Sequence, residues 1–154
     1  MQTAPSTVVS SPKAGWWVRF FAYFVDSLIV GIPAVIIGFI LAALTGGMTS
    51  STGTVNGGAV TLFYLLVLVG PAVYFVYFWS QRNGLTIMNK ALNIQVVKTD
   101  GSPITVGTAI VRYVGYILNS IVFGLPIGWL WAAFDANKQG WHDKVAGTYV
   151  IKSS

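Results

Sequence analysis

Few side chains in this sequence could carry acid–base chemistry. The chain has a single histidine, His142, no glutamate and no cysteine, and its only acids are Asp26, Asp100, Asp135 and Asp143. Zinc and iron prefer imidazole, thiolate and carboxylate ligands, so this small set predicts no metal site. Nothing is spaced as a serine–histidine–acid triad or as a phosphate-binding glycine loop. We therefore expect a protein that is not an enzyme and has no cofactor.

Asp26 has the most unusual surroundings, because it interrupts a long apolar run. Arg19 precedes it by two helical turns, so both side chains would share one helix face about 10 Å apart. A charge inside a bilayer costs about 2.5–3.5 kcal/mol on insertion scales, so Asp26 should face protein or water. We expect Arg112 to be its partner. The pair could form a proton or cation site or a structural ion pair.

His142 and Asp143 are neighbours in the sequence. A histidine titrates near physiological pH, so the two residues could act as an acid–base pair. Adjacent residues rarely face each other on one element, which favours a different role for the aspartate. We expect Asp143 to clamp a cytoplasmic turn by binding an arginine such as Arg19 or Arg82.

The composition predicts an integral membrane protein. Apolar residues make up 55% of the chain and charged residues 8%, against roughly 25% charged in soluble domains. We attribute the formal net charge of +5 to basic residues that concentrate on the cytoplasmic side of a membrane and attract anionic lipid. We therefore expect no nucleic-acid partner. The expected partner is the lipid bilayer.

Three apolar runs are long enough to cross a bilayer as helices, at residues 16–44, 60–79 and 113–134. All the basic residues avoid the loop at 45–58. The positive-inside rule therefore places the N-terminus and residues 80–112 in the cytoplasm of a multi-pass protein.

The third run has two interpretations. A single span would carry the lysines of the C-terminal tail to the outside, against the charge rule. Gly124 and Pro126 interrupt the run, which favours a broken hairpin of helices at about 105–123 and 126–134. The number of membrane segments is then four rather than three.

A small cytoplasmic β element is predicted between the second and third runs. Residues 93–97 and 103–106 flank Asp100-Gly101, a pattern typical of a tight β-hairpin. Residues 148–151 form a third strand-like piece that could pair with 93–97. The predicted fold is an all-α transmembrane bundle of three to four segments with this β element, preceded by a flexible tail over residues 1–15.

Two motifs carry a family resemblance. Residues 19–26 read R-F-F-A-Y-F-V-D, and residues 141–148 read W-H-D-K-V-A-G-T. They resemble the R-x-x-A-x-x-x-D opening and the L-H-D-x-x-A-G-T close of the RDD family of small prokaryotic membrane proteins. The resemblance covers residues 16–152 as a single membrane domain. It implies that Asp26 and Asp143 are the family's two aspartates and that Arg112 is an arginine the family often has.

The loop after Gly84-Leu85-Thr86 departs from the family pattern. Met88 and Asn89 stand where the family usually has glycines, and Asn93 replaces a further glycine. If those glycines make a backbone contact, the departure alters it in this protein.

The resemblance implies, loosely, a transport function in the prokaryotic plasma membrane. Asp26 would carry H⁺ or a cation such as Na⁺, and Arg19 and Arg112 would tune its pKa. The alternative is a non-catalytic module for assembly or regulation of a membrane complex. Small residues at 34, 38 and 42 predict a close-packing face for another helix, so we expect a homo-oligomer or a membrane-protein partner.

Overall fold

The computed structural model describes residues 10–50, 52–123 and 127–153 of the chain. Its elements follow the order α1 (Trp16–Leu44), α2 (Gly57–Gln81), α3 (Ile87–Ala91), β1 (Ile94–Lys98), α4 (Val106–Phe123), α5 (Ile127–Phe134), α6 (Trp141–Ala146) and β2 (Thr148–Lys152). The mostly helical architecture with one small sheet agrees with the prediction. Among the described helices, α1 and α2 are the two that are long and apolar enough to cross a membrane, and further spans stay a prediction.

The chain divides into two compact units. We call Ser27–Tyr74 the hairpin unit, and the chain up to Asp26 together with the chain from Phe75 onward the charged unit. Every Asp, Lys, Arg and His of the sequence belongs to the charged unit, and the hairpin unit contains none.

Within the hairpin unit, the two helical stretches match a bilayer in length. Residues 27–44 of α1 and 57–74 of α2 each rise about 27 Å over roughly 18 residues, close to the ~30 Å hydrocarbon core. A β-carbon added to Gly38 would lie 2.8 Å from the Phe63 ring, and one added to Gly70 would lie 3.9 Å from Ala34. The predicted small-residue face therefore packs against α2 of the same chain.

The sheet joins β1 to the end of the chain. The strands are antiparallel, with Ile94 opposite Lys152 and Lys98 opposite Thr148, so the predicted pairing of these segments is confirmed. The backbone N–H of Ala14 donates to the Val150 carbonyl at 2.8 Å, and that of Lys152 to Pro12 at 2.8 Å.

The flexible tail was predicted over residues 1–15. Residues 1–9 of that tail lie outside the described residues, and the structure describes the tail from residue 10 onward.

The β-hairpin predicted at Asp100-Gly101 is wrong. The Ser102 backbone N–H donates to Asp100 Oδ1 at 2.9 Å, which closes a local turn directly after β1. The Thr108 N–H then donates to Thr105 Oγ1 at 3.2 Å, and α4 begins. Side-chain caps of this kind compete with strand pairing, so the segment after the turn becomes a helix start instead of a strand.

The interruption predicted in the third apolar run falls on residues outside the described part of the chain. Helix α4 ends at Phe123 and α5 begins at Ile127. Gly124 and Pro126, on which the prediction rested, lie outside the described residues.

Gly84 provides a test of how the charged unit is packed. It has a φ of 75°, and an added β-carbon would lie 1.9 Å from the Val96 carbonyl oxygen. We expect Gly84→Ala to lower the free energy of unfolding by about 2–4 kcal/mol, through backbone strain and overpacking.

The measurement is unfolding in detergent micelles. Gly107→Ala is the matched control, because its added β-carbon meets nothing closer than 3.8 Å, and it should leave stability unchanged or slightly raised. Equal stabilities of the two variants would contradict the packing of Gly84 against β1.

Candidate functional site

The site is built around Asp143, whose exposed fraction is 0%. It is the third residue of α6, and its Oδ2 accepts a hydrogen bond from the Gly140 backbone N–H at 2.9 Å. Gly147 ends the helix with a left-handed φ of 59°, a conformation that glycine adopts without strain. The H-D-x-x-A-G-T motif therefore encodes a short helix that fixes one carboxylate.

Two arginines from distant parts of the sequence bind this carboxylate. Arg19 of α1 donates to Oδ2 and Arg112 of α4 donates to Oδ1. The other terminal nitrogen of the Arg19 guanidinium donates to the Lys138 backbone carbonyl. The prediction that Asp143 binds Arg19 is confirmed, and the carboxylate joins α1, α4 and α6.

Arg112 is enclosed on all sides, with 1% of its surface exposed. It donates to Thr148 Oγ1 at 2.6 Å and to the Tyr116 hydroxyl at 3.1 Å. Its guanidinium carbon lies 5.0 Å from the Trp79 ring centroid, which adds a cation–π attraction. These contacts offset much of the cost of burying the charge.

The electrostatics of α6 favour one ionised and one neutral side chain. Burial alone would raise the pKa of Asp143, but Arg112 and Arg19 outweigh it and hold that pKa well below the usual range. Burial lowers the pKa of His142 to about 3, with Arg112 and Arg19 contributing in the same direction. His142 is therefore neutral at pH 7 and stacks on Tyr116 with ring centroids 4.0 Å apart, and its Nε2 lies 3.4 Å from Asp143 Oδ2.

Asp26 makes a different set of contacts. It is 1% exposed, and its carboxylate accepts hydrogen bonds from Thr86 Oγ1 at 2.5 Å and from the Met88 backbone N–H at 3.1 Å. Thr86 is also the N-cap of α3, since its Oγ1 accepts from the Asn89 N–H at 3.2 Å. Asp26 thereby connects α1 to the start of α3, where a negative charge is favoured.

The expected pairing of Asp26 with Arg112 is wrong. Arg112 is bound to Asp143 instead, because the C-terminal segment folds back onto α4. Gly115 permits this approach, since a β-carbon there would lie 2.9 Å from His142 Cβ. Sequence spacing within apolar runs carries no information about a contact that depends on the fold of the tail.

A small cavity nevertheless lies beside Asp26 and the two arginines. Its volume is about 20 Å³, and its walls include Arg19, Asp26, Arg112 and Tyr116. That volume suits a single water molecule. The cavity therefore brings the Asp26 side chain beside both of the arginines that bind Asp143.

The residues that depart from the usual glycine pattern keep backbone functions. The Met88 N–H binds Asp26, and Asn89 Nδ2 donates to the Gly84 carbonyl at 3.3 Å. Asn93 has a φ of 51°, and asparagine tolerates this left-handed conformation better than most residues do. A glycine is therefore replaced at this position by the residue that most nearly shares its conformational range.

Several residues of the site were not singled out from the sequence. Tyr116 is one helical turn beyond Arg112, and this spacing is the signal that could have found it. Thr148 is the last residue of the C-terminal motif. Trp79 gives no signal of its own, because an aromatic residue at a helix end also suits a membrane interface.

The chain is similar in sequence to known proteins. The model of the RDD family matches residues 13–147. The chain belongs to the RDD family. Proteins similar to it include the uncharacterized protein YxaI of Bacillus subtilis, 32% identical over 90% of this chain and 96% of that protein. The uncharacterized membrane protein YteJ of the same organism is 33% identical over 90% of this chain and 80% of that protein.

A third relative, the uncharacterized protein YckC of Bacillus subtilis, is 29% identical over 89% of this chain and 83% of that protein. No solved structure matches the chain. The family, the two apolar helices and the membrane relative identify this RDD chain as a membrane protein.

His142 allows a test of the electrostatics, because it is the sole histidine. Its pKa is lowered in the folded state, so the unfolded chain binds a proton that the folded chain does not. Stability is then highest above pH 6.5 and falls as the pH drops toward 3. Between pH 7.5 and 4.5 we expect the free energy of unfolding to fall by about 2–3 kcal/mol.

The measurement is the unfolding midpoint across this pH range, with His142→Phe as the matched variant. Phenylalanine keeps a ring against Tyr116 and cannot titrate. The free energy of unfolding of this variant should therefore fall less between pH 7.5 and 4.5, by the amount that His142 contributes in the wild type. Parallel profiles for the two proteins would contradict a buried neutral imidazole.

Proposed function

We propose that this RDD protein is a non-catalytic, multi-pass module of the plasma membrane that anchors a folded charged unit for assembly with, or regulation of, a membrane complex. The observation that carries the proposal is the way the buried charged side chains join distant elements. Arg19 and Arg112 both bind Asp143, and Asp26 binds Thr86 beside the same two arginines. Such a cluster supports a structural role.

The hairpin unit supports the same conclusion. Residues 27–81 contain no Asp, Glu, Lys, Arg or His. Ion and proton pathways through membranes are marked by ionisable side chains that face a water-filled cavity. A single copy of the hairpin unit offers none along its length, so it serves better as an anchor than as a conduit.

Helix α4 supports contact of the charged unit with the bilayer. Over residues 106–119, its buried side chains are Ala109, Arg112, Tyr116 and Asn119, whereas Ile110, Val114, Ile117 and Leu118 are exposed. A surface helix of a soluble protein has the opposite arrangement. Apolar side chains that face outward around a polar interior suit a lipid surrounding, and the basic residues favour a cytoplasmic location for this side of the protein.

Ion exchange at Asp26 is the second candidate function. The cavity that reaches from Asp26 to Arg19 and Arg112 favours it, because one water there could relay a proton. A bound Na⁺ is less favourable, since two guanidinium groups line the same cavity and repel a cation.

Flux measurements separate the two candidates. The protein is reconstituted into proteoliposomes under an imposed pH gradient, with Na⁺ or K⁺ added, and is compared with protein-free vesicles. The module proposal predicts no cation-dependent proton movement from a folded protein. Cation-dependent movement that Asp26→Asn abolishes, with the fold intact, would overturn it and establish exchange.

The proposed topology has its own test. Pairing of β1 with β2 requires residues 94–98 and 148–152 to lie on one side of the membrane. A reporter fused after residue 154 should therefore be cytoplasmic, like one inserted at the exposed turn of Asp100. If the two reporters lay on opposite sides of the membrane, the proposal that β1 and β2 lie on the same side would be contradicted.

A further inference from the structure

A pocket that the buried charges do not occupy lies where the start of α1 meets the sheet, and we call it the α1–sheet pocket. Its volume is about 320 Å³, within the ~300–1,000 Å³ usual for ligand pockets. Its walls come from the start of α1, the start of β1 and the end of β2. The Ser153 backbone N–H donates to the Asn93 carbonyl at 2.8 Å, so the two strand ends that form the pocket are held together.

One wall of the pocket carries a positive charge that no acid compensates. Lys152 lines the pocket and is exposed, and it has no ion pair among the residues that the structure describes. The four acids of the chain have partners elsewhere: Asp26 and Asp143 in the buried cluster, Asp100 at Lys98, and Asp135 at Lys144. The pocket therefore suits a group with negative charge.

Two neutral polar residues lie beside this lysine. Asn93 and Ser153 both line the pocket, and an amide and a hydroxyl can each donate a hydrogen bond. Lysine is a common binder of phosphate, whose oxygens accept several hydrogen bonds at once. One ammonium group with an amide and a hydroxyl next to it is a suitable set of donors for a phosphate group.

The α1 side of the pocket is apolar and leads along the helix. Val18 lines the pocket and is 39% exposed, and Phe21, three residues further, is 52% exposed. Residues three apart lie on the same face of a helix. Trp17 is 72% exposed, and tryptophan is enriched at the level of lipid headgroups. From the pocket into α1, the order is thus a charged group, an interfacial tryptophan and then apolar side chains, as from a lipid headgroup to its acyl chains.

We propose that the α1–sheet pocket binds the phosphate headgroup of an anionic phospholipid from the cytoplasmic leaflet. Lys152 pairs with the phosphate, Asn93 and Ser153 donate to its oxygens, and an acyl chain follows Val18 and Phe21 into the bilayer. The inference rests on the proposed position of the charged unit at the cytoplasmic face. A free phosphate ion would leave the apolar side of the pocket without a contact, and so fits less well.

Gly15 is the position at which a substitution tests the pocket most sharply. It lines the pocket, its φ is outside the left-handed region, and an added β-carbon meets no described atom within 4 Å. Gly15→Asp places a negative charge in the pocket and should lower the bound fraction of anionic lipid at least five-fold. Gly15→Asn is the matched control, because it has the same size without the charge, and it should keep at least half of the binding. Either side chain can cap α1, so both variants should unfold at similar midpoints.

Native mass spectrometry of the delipidated full chain in mild detergent measures the binding. The protein is offered equal amounts of phosphatidylglycerol and phosphatidylcholine, and we expect one phosphatidylglycerol per chain with at least a three-fold preference, since Lys152 repels the choline cation. Lys152→Gln should lower this binding at least three-fold. Lys98→Gln removes the same charge at the other end of β1 and should bind as the wild type does. Lys152→Gln replaces Gly15→Asp if the latter unfolds.

A second arm separates a lipid from a soluble phosphate. Millimolar inorganic phosphate should leave the phosphatidylglycerol bound, because the ion lacks the acyl chains. Displacement of the lipid by phosphate, equal binding of the two lipids, equal binding by the two Gly15 variants, or equal losses in the two lysine variants would each overturn the inference. None of these results depends on ion flux or on the side of the membrane that the charged unit occupies, so they are distinguishable from a failure of the proposed function.

Discussion

The fold of the charged unit depends on one buried carboxylate that two guanidinium groups must compensate. Asp143 has no exposed surface and binds Arg19 and Arg112 at once. An uncompensated charge at such a position would be strongly destabilising. The start of α1, the middle of α4 and the whole of α6 are therefore held together, and β2 follows directly from α6 to pair with β1.

Asp26 lies beside the same two arginines. It lines, together with Arg19 and Arg112, a cavity the size of one water. Its hydrogen bonds to Thr86 and Met88 extend the connection to α3. Asp143 and Asp26 thus make separate contacts, the first with the two arginines and the second with the start of α3.

The sequence allowed much of this to be predicted, because local signals were strong. Apolar runs located α1 and α2, and the H-D-x-x-A-G-T motif identified Asp143 and its binding to Arg19. The partner of Arg112 was not predictable, since it depends on how the tail folds back over Gly115. The turn at Asp100-Gly101 was misassigned as a hairpin because its side-chain contacts with Ser102 and the cap at Thr105 start a helix. The pocket beside Lys152 had no sequence signal, because it arises only where the start of α1 meets the sheet.

The most direct test of the structural role is a double-mutant cycle on Arg19 and Asp143, read as the free energy of unfolding in micelles. Arg19→Gln and Asp143→Asn should each cost about 3–5 kcal/mol, and the double variant should cost at least about 2 kcal/mol less than their sum. Asp100→Asn, at an exposed acid, serves as the control and should change little. Small and additive effects of the two substitutions would contradict a cluster whose purpose is to hold the fold together.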